Sequence, residues 1–125
     1  MNSDLLVLSN NPLVWDHAGK ACHRVEGPAL SVLYECLKLI AAAGYVLYTH
    51  PAAGNARLAH NPFRTLIVKR ATASAEQQQR DSACLEYFLE KLEALGGDVP
   101  PDTVEDYRSV DYGLFLGMLP GDTLQ

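Results

Sequence analysis

The stretch Gly44–Arg70, GYVLYTHPAAGNARLAHNPFRTLIVKR, decides how the rest of this chain is interpreted. It predicts two buried strands, Tyr45–Tyr48 and Leu66–Val68, joined by a long polar connection. Long connections without secondary structure of their own are uncommon in compact domains and are usually functional or disordered. We therefore expect any site to be built here. The polar residues and the glycine of this connection are His50, Gly54, Asn55, Arg57, His60, Asn61 and Arg64.

Outward from this stretch, helices alternate with strands. The apolar run Leu5–Leu8 predicts a strand buried on both faces. Asn11 and Pro12 are typical of the N-cap and first residue of a helix, here a short one that ends at Gly19. A longer amphipathic helix is predicted after Gly27-Pro28, and another begins where Ser74 forms a capping box with Gln77. The first of these is expected to bury one face and to pair Glu35 with Lys38 on the other; the buried face consists of Leu30, Leu33, Leu37 and Ile40. Asp102 with Glu105 predicts a second capping box.

This alternation is typical of an α/β domain. We predict a single three-layer domain over residues 1–125, with about four mostly parallel strands and helices on both faces. The connection from Tyr48 to Leu66 shows no evident helix, so that strand pair could instead be antiparallel.

Composition excludes several classes of protein. A chain that is 48% hydrophobic and 20% charged is typical of a globular protein rather than a disordered one. The net charge of −5 and the lack of any basic run argue against a nucleic-acid partner. Three cysteines without CxxC spacing argue against a disulfide framework. The sequence shows neither a signal peptide nor a membrane-spanning run, so we expect a cytoplasmic protein.

Asp111 interrupts an apolar stripe near the end of the chain. Either it is a buried polar group with a dedicated partner, or it caps a new helix over residues 113–119. We favour the cap, since aspartate is a preferred N-cap residue. The apolar stripe consists of Val104, Tyr107, Leu114 and Met118.

A ligand site is predicted at one edge of the sheet. If the first and third strands are parallel, Asn10-Asn11 and His50-Pro51 both emerge at the carboxyl edge, where open α/β sheets bind ligands. Helix N-terminal N–H groups favour an anion, and Arg57 and Arg64 suit carboxylates and phosphates. A small carboxylate or phosphate is therefore the expected ligand.

His50 is the best catalytic candidate. A strand end holds its imidazole rigidly, and its ordinary titration range suits a general base. However, no nucleophile elbow is visible, and residues 50–64 contain no acid to orient the ring. Catalysis, ligand binding and a structural role in the loop all stay open, and a non-catalytic protein is favoured. The histidines and cysteines show no metal-ligand spacing, so no metal or other cofactor is predicted.

Three segments resemble the GrdX family, small accessory proteins of glycine, sarcosine and betaine reductase systems. They are NNPLV at Asn10–Val14, THPAAG at Thr49–Gly54 with NPFRT at Asn61–Thr65, and DYGL at Asp111–Leu114. The chain departs from the family pattern at Asn55 and over residues 57–61, where a glutamate of the family is absent. The resemblance implies a cytoplasmic accessory role in amino-acid metabolism, with reductase-complex proteins as partners, and supplies no reaction.

Two hypotheses follow. In the first, the chain is a non-catalytic accessory protein that binds a small anion or a reductase-complex partner through residues 50–64. In the second, it is a small hydrolase or transferase that uses His50 with Asn10 and Arg64. A homodimer is compatible with a domain of this size. The predicted ligand-binding residues are Asn10, Asn11, Thr49, His50, Gly54, Asn55, Asn61, Arg64 and Asp111.

Overall fold

The computed structural model describes residues 4–42, 44–49, 61–95 and 104–119. Within these ranges the chain forms four strands and four α-helices, and a short 3₁₀ turn, Gly19–Ala21, links α1 to β2. In chain order the elements are β1 (Leu5–Ser9), α1 (Pro12–Ala18), β2 (Cys22–Arg24), α2 (Ala29–Ala41), β3 (Tyr45–Leu47), β4 (Thr65–Arg70), α3 (Ala75–Leu95) and α4 (Val104–Met118). No helix within these ranges is both long enough and apolar enough to cross a membrane.

The four strands form one sheet in the order β2-β1-β4-β3. β1 and β2 are parallel, whereas β4 is antiparallel to both of its neighbours, β1 and β3. The prediction of a mostly parallel sheet is therefore wrong, and the alternative of an antiparallel β3–β4 pair is confirmed. The physical reason is that β4 pairs directly with β3, the strand before it in the chain, whereas parallel neighbours require a crossover connection.

Because β4 is antiparallel to both β1 and β3, those two strands run in the same direction. The carboxyl ends of β1 and β3 therefore lie at the same end of the sheet, as the predicted ligand site requires. β4 begins at this same end, where Ser9 at the end of β1 lies opposite Thr65 at the start of β4.

Successive side chains of β4 belong to different cores. Leu66 and Val68 pack with Leu8 and the buried residues of α2 and α3. Ile67 packs with Val7 of β1 and with Phe115 of α4. Since neighbouring side chains of a strand point to opposite sides, the continuous apolar run of β4 is explained by burial on both.

Helix α2 buries a slightly different stripe from the one predicted. Leu33 and Ile40 are fully buried as expected, but Leu30 and Leu37 lie at the margin of the core. The rest of the buried stripe consists of Ala29, Val32 and Cys36. On the opposite side, Glu35 and Lys38 form the expected ion pair, with 3.1 Å between Oε1 and Nζ.

Helix α3 begins as the sequence predicts. The N–H of Gln77 donates to the Ser74 Oγ at 3.1 Å, which confirms the serine half of the predicted capping box. The Gln77 side chain instead donates to the Asp81 Oδ1 at 2.8 Å. Leu85 and Leu89 are buried against α2 and the sheet, while Phe88 and Leu92 are half-buried beside them. The helix ends at Leu95, and the predicted capping box of Asp102 lies outside the described residues.

Candidate functional site

Buried polar residues meet where β1 ends and β4 begins. Ser9, Asn10 and Asn11 follow one another out of β1, and Thr65 stands opposite Ser9 in β4. All four are buried, and Ser9 and Asn11 have no exposed surface. Their hydroxyl and amide groups are therefore satisfied by the chain itself, as burial of a polar group requires.

Asn10 joins three separate segments of the chain. Its Nδ2 donates to the Gly27 carbonyl and to the Pro62 carbonyl, both at 2.9 Å. Its Oδ1 accepts from the Arg64 N–H at 2.8 Å. Both amide hydrogens are thus used within the protein, and Asn10 has no donor left for a ligand or a substrate.

Asn11 caps helix α1, as the sequence predicts. Its Oδ1 accepts from the Leu13 N–H at 3.1 Å, and Pro12 occupies the first position of the helix. The two amide hydrogens donate to the Arg108 carbonyl and to the Asp111 Oδ2, each at 2.9 Å. Asn11 therefore holds α1 and α4 together, and its amide also has no donor to spare.

Asp111 lies inside helix α4, so the prediction that it caps a new helix is wrong. The helix already begins at Val104 and runs unbroken through Asp111. The alternative is confirmed: Asp111 is a buried carboxylate with dedicated partners. Its Oδ2 accepts from Asn11 and from the Thr65 hydroxyl at 2.8 Å. The sequence favoured the cap because aspartate is a preferred N-cap residue. The partners Asn11 and Thr65 could not be recognised from the sequence, because they lie far away along the chain.

Opposing effects act on the acidity of Asp111. Burial raises the pKa of its carboxyl group above the ordinary value, because the charged form loses its hydration. The hydrogen bonds from Asn11 and Thr65 and the positive charge of Arg64 act in the other direction, and the effect of burial is larger. Asp111 is thus a carboxylate that the fold holds in an environment unfavourable to its charge.

The guanidinium group of Arg64 lies in the electrostatic field of the Asp111 carboxylate. Burial lowers the pKa of its guanidinium group, and the negative charge of Asp111 counteracts this. An anionic ligand at Arg64 would therefore compete with a carboxylate that already belongs to the protein.

Asn61 fixes the end of the segment that leads into β4. Its Oδ1 accepts from the Phe63 N–H at 2.8 Å, which forms a local turn. Its Nδ2 donates to the Tyr107 carbonyl at 3.0 Å, which docks this turn on α4. The guanidinium of Arg108 lies over the Phe63 ring, 5.3 Å from the centroid, and strengthens the same contact.

Thr49 fixes the other end of the predicted loop. The N–H groups of Tyr48 and Thr49 donate to the Ile67 carbonyl at 2.9 and 3.2 Å. In return, the Ile67 N–H donates to the Thr49 Oγ1 at 3.1 Å, so a side chain takes the place of a backbone acceptor. Thr49 thus closes the β3–β4 ladder.

The structure therefore brings six predicted residues into one region and accounts for them by internal contacts. Asn10, Asn11, Asn61, Arg64 and Asp111 surround the start of β4, and Thr49 joins β3 to the same strand. His50, Gly54 and Asn55 lie outside the described residues, together with Arg57 and His60. The predictions made for them stay predictions.

Sequence reasoning missed Ser9, Thr65 and Arg108 as members of this network. The Ser9 hydroxyl lies 2.8 Å from the Thr65 hydroxyl and accepts from the Asn11 N–H at 3.0 Å. A signal was present, since Ser9 and Thr65 are polar residues at the ends of apolar runs that form strands. Arg108 carried no such signal. It accepts a hydrogen bond through its backbone carbonyl, which every residue has, and its side chain stacks on the Phe63 ring.

This hydrogen-bond network has the properties of a structural connection between elements of the fold. Ser9 and Thr65 are 0% and 1% exposed, so a substrate cannot reach their hydroxyl groups. No cluster of three or more metal-ligating side chains suited to an ion occurs in the described ranges. Through hydrogen bonds, the network holds β1, β4, α1, α4 and residues 61–65 in one arrangement.

The chain was compared with known protein families, curated proteins and solved structures. A family model described as GrdX-like protein matches residues 6–120. No curated protein and no solved structure matches the chain.

Proposed function

Because the chain belongs to the GrdX-like protein family, we propose that it is a small non-catalytic accessory protein that binds a partner through residues 50–64. The partner would be a protein component of an amino-acid reductase system. The observation that carries this proposal is that both ends of this segment are fixed to the sheet and to α4. Thr49 secures one end, and Asn61 with Asn10 secures the other.

Fixed ends favour a binding role for the residues between them. A segment whose ends are ordered by the scaffold loses less conformational entropy when it binds a partner. Binding residues are also found disproportionately on connections that a rigid scaffold positions. The side chains of Asn10 and Asn61 are buried and Thr49 is half-buried, so they support such a surface rather than form it.

A protein partner fits the described contacts better than a small anion. The amide donors of Asn10 and Asn11 are spent on carbonyl and carboxylate oxygens of the chain. Arg64 is neutralised in part by Asp111. The use of Asn10 also argues against the enzyme hypothesis, which needed that side chain at a reaction centre.

The test is retention of reductase components by the immobilised protein. We expect the wild-type chain to retain at least one component, and Arg57→Glu to reduce retention by about tenfold or more, as reversal of an interface charge does. Arg80→Glu is the matched control, because Arg80 is an exposed arginine on α3, outside the proposed surface. It should retain partners as the wild type does.

Three outcomes would contradict the proposal. The wild-type chain could retain no reductase component, or Arg57→Glu and Arg80→Glu could behave alike. The third is a rise in the thermal unfolding midpoint with inorganic phosphate or small carboxylates, abolished by Arg57→Glu, in a chain that retains no component. That result would assign the segment to an anion instead.

A further inference from the structure

Two arginines are held against aromatic rings at the end of the sheet where β1 stops. Arg24 lies opposite Ser9 at the end of β2, and its guanidinium is 5.5 Å from the centroid of the Trp15 ring. On α4, the guanidinium of Arg108 is 5.3 Å from the centroid of the Phe63 ring. A guanidinium that stacks on a ring is fixed in orientation and still presents its N–H groups at its edge. Both cations are therefore preorganised to bind a carboxylate.

The first turn of α1 lies between these two stacks. Trp15 faces β2, whose arginine stacks on its ring. On the other side of α1, the Nδ1 of His17 lies 3.2 Å from the Tyr112 hydroxyl of α4. Leu13 precedes His17 by one helical turn. Arg108 precedes Tyr112 by one turn, so it lies beside Leu13, which is 37% exposed.

Neither arginine is firmly neutralised by the described part of the protein. No acidic side chain in that part forms an ion pair with Arg24. The Nη1 of Arg108 donates to the Glu105 Oε1 at 2.7 Å, but the Glu105 side chain is 77% exposed. An exposed pair of this kind is weak, so another carboxylate can replace Glu105. With a net charge of −5 on the whole chain, these arginines are positive positions on an acidic protein.

We propose that Arg24, Leu13 and Arg108 form a docking surface for an acidic segment of a partner protein. The segment places carboxylates on the two arginines and an apolar side chain on Leu13. In the free protein, Glu105 occupies the place of one of these carboxylates. The occupant is a protein segment rather than a small anion, because the two arginines lie on opposite sides of α1 with an apolar residue between them.

This surface adjoins the segment proposed above to bind a partner. Asn61, at the end of that segment, donates to the carbonyl of Tyr107, the residue before Arg108. The inference deepens the proposed function, and the identity of the partner as a reductase component rests on that function. The acidic chemistry of the partner rests on the arginines.

The first test uses a defined acidic probe and needs no reductase component. The probe is the acetylated and amidated peptide Glu-Glu-Leu-Leu-Glu-Glu, and the control peptide has glutamine in place of every glutamate. In heteronuclear NMR titrations we expect the acidic peptide to shift the Nε–Hε signals of Arg24 and Arg108 but not that of Arg80. The glutamine peptide should shift none of them. The proposal is overturned if the acidic peptide shifts neither signal, or shifts the Arg80 signal equally.

Charge reversal measures what each arginine contributes to binding. Arg24→Glu and Arg108→Glu should each raise the dissociation constant of the acidic peptide about tenfold, and Leu13→Ala about threefold. Arg80→Glu should leave it unchanged, and equal effects of all three charge reversals would contradict the proposal. Unfolding curves verify each fold. Arg108→Gln removes the charge without introducing an acid, and it replaces Arg108→Glu if that variant is destabilised.

Glu105→Gln predicts a change of opposite sign. It removes the carboxylate that competes with the probe, so it should lower the dissociation constant about threefold. The matched control is Glu35→Gln, because Glu35 and Lys38 form an ion pair with the same i,i+3 spacing on α2. That variant should bind the peptide as the wild type does. Weaker or unchanged binding in Glu105→Gln would show that the pair is merely structural.

Retention of reductase components separates this inference from the proposed function. If the wild type retains a component, Arg24→Glu should reduce the retention about tenfold. Equal retention by the two proteins would overturn the docking surface and leave the proposed function intact. If no component is retained although the acidic peptide binds at Arg24 and Arg108, the proposed function is wrong and the docking surface stands.

Discussion

Replacing Asp111 with alanine is expected to lower the free energy of unfolding by about 3–5 kcal/mol, as loss of two buried hydrogen bonds to a charged group does. The substitution removes the carboxylate oxygen that accepts from Asn11 and Thr65. It also removes the negative charge of Asp111, which partly offsets the desolvation of the Arg64 guanidinium. Urea unfolding followed by circular dichroism measures the change.

Asp106→Ala is the matched control for this prediction. Asp106 is on the same helix, but it is exposed and lies in the first turn. Its loss should cost less than about 1 kcal/mol, the usual contribution of an acid at a helix N-terminus. If Asp111→Ala proved no more destabilising than Asp106→Ala, the role of Asp111 as the joint between α4 and the sheet would be disproved.

The pH dependence of Asp111 has a definite sign. Because burial raises its pKa in the folded state, the folded protein holds this proton more tightly than the unfolded chain does. The resulting stabilisation is complete below the ordinary value of 3.8 and is lost as the pH rises through the raised value. The stability of the wild type relative to Asp111→Asn should therefore fall as the pH increases across this window. A relative stability that rises there would contradict the assignment.

Replacing Asn10 with alanine is the second large effect, and we expect a loss of about 3 kcal/mol. The change leaves the Gly27 carbonyl, the Pro62 carbonyl and the Arg64 N–H without their common partner. Each is a backbone group in a partly buried position, so each carries a desolvation cost. Thermal and urea unfolding measure the loss, with the exposed amide variant Gln79→Ala as a control that should change little.

Asn10→Asp sharpens this prediction. Aspartate keeps the shape of the side chain and the acceptor for Arg64, but it turns an oxygen toward the two carbonyls that now receive hydrogen bonds. Near neutral pH it should destabilise the protein at least as much as alanine does. A wild-type stability in Asn10→Asp would show that these contacts do not hold the segment. Both variants should also weaken retention of a reductase component, whereas Gln79→Ala should not.

Local signals were sufficient for most of the secondary structure. Asn11 and Pro12 begin α1 because an asparagine side chain can cap an N–H two residues ahead, and proline suits the first helical position. Ser74 begins α3 for the same kind of reason. Such bonds join residues that are neighbours in the chain, so sequence spacing specifies them. The likeness of three short segments to one family pattern was likewise visible in the residues, and the match over residues 6–120 confirms it.

Local sequence signals did not reveal the relative directions of the strands or the role of Asp111. A strand buried on both sides has a continuous apolar run whichever way its neighbours point, so residues 65–70 did not reveal an antiparallel β4. Asp111 in a helical stripe is compatible with a cap or with a buried contact, and only the positions of Asn11 and Thr65 separate these possibilities. Those partners are 100 and 46 residues away in the chain.

The sequence by itself therefore determined the family, the approximate positions of the helices and strands, and the region in which the polar residues converge. The tertiary structure alone decided what these residues do. Asn10, Asn11, Asn61 and Asp111 were predicted to meet a ligand. In the structure, the three asparagines donate to backbone carbonyls of other segments, and Asn11 also donates to Asp111. The physical reason is that a hydrogen-bonding side chain has the same chemistry toward a ligand as toward a distant part of its own chain. Folding decides which of the two is within reach.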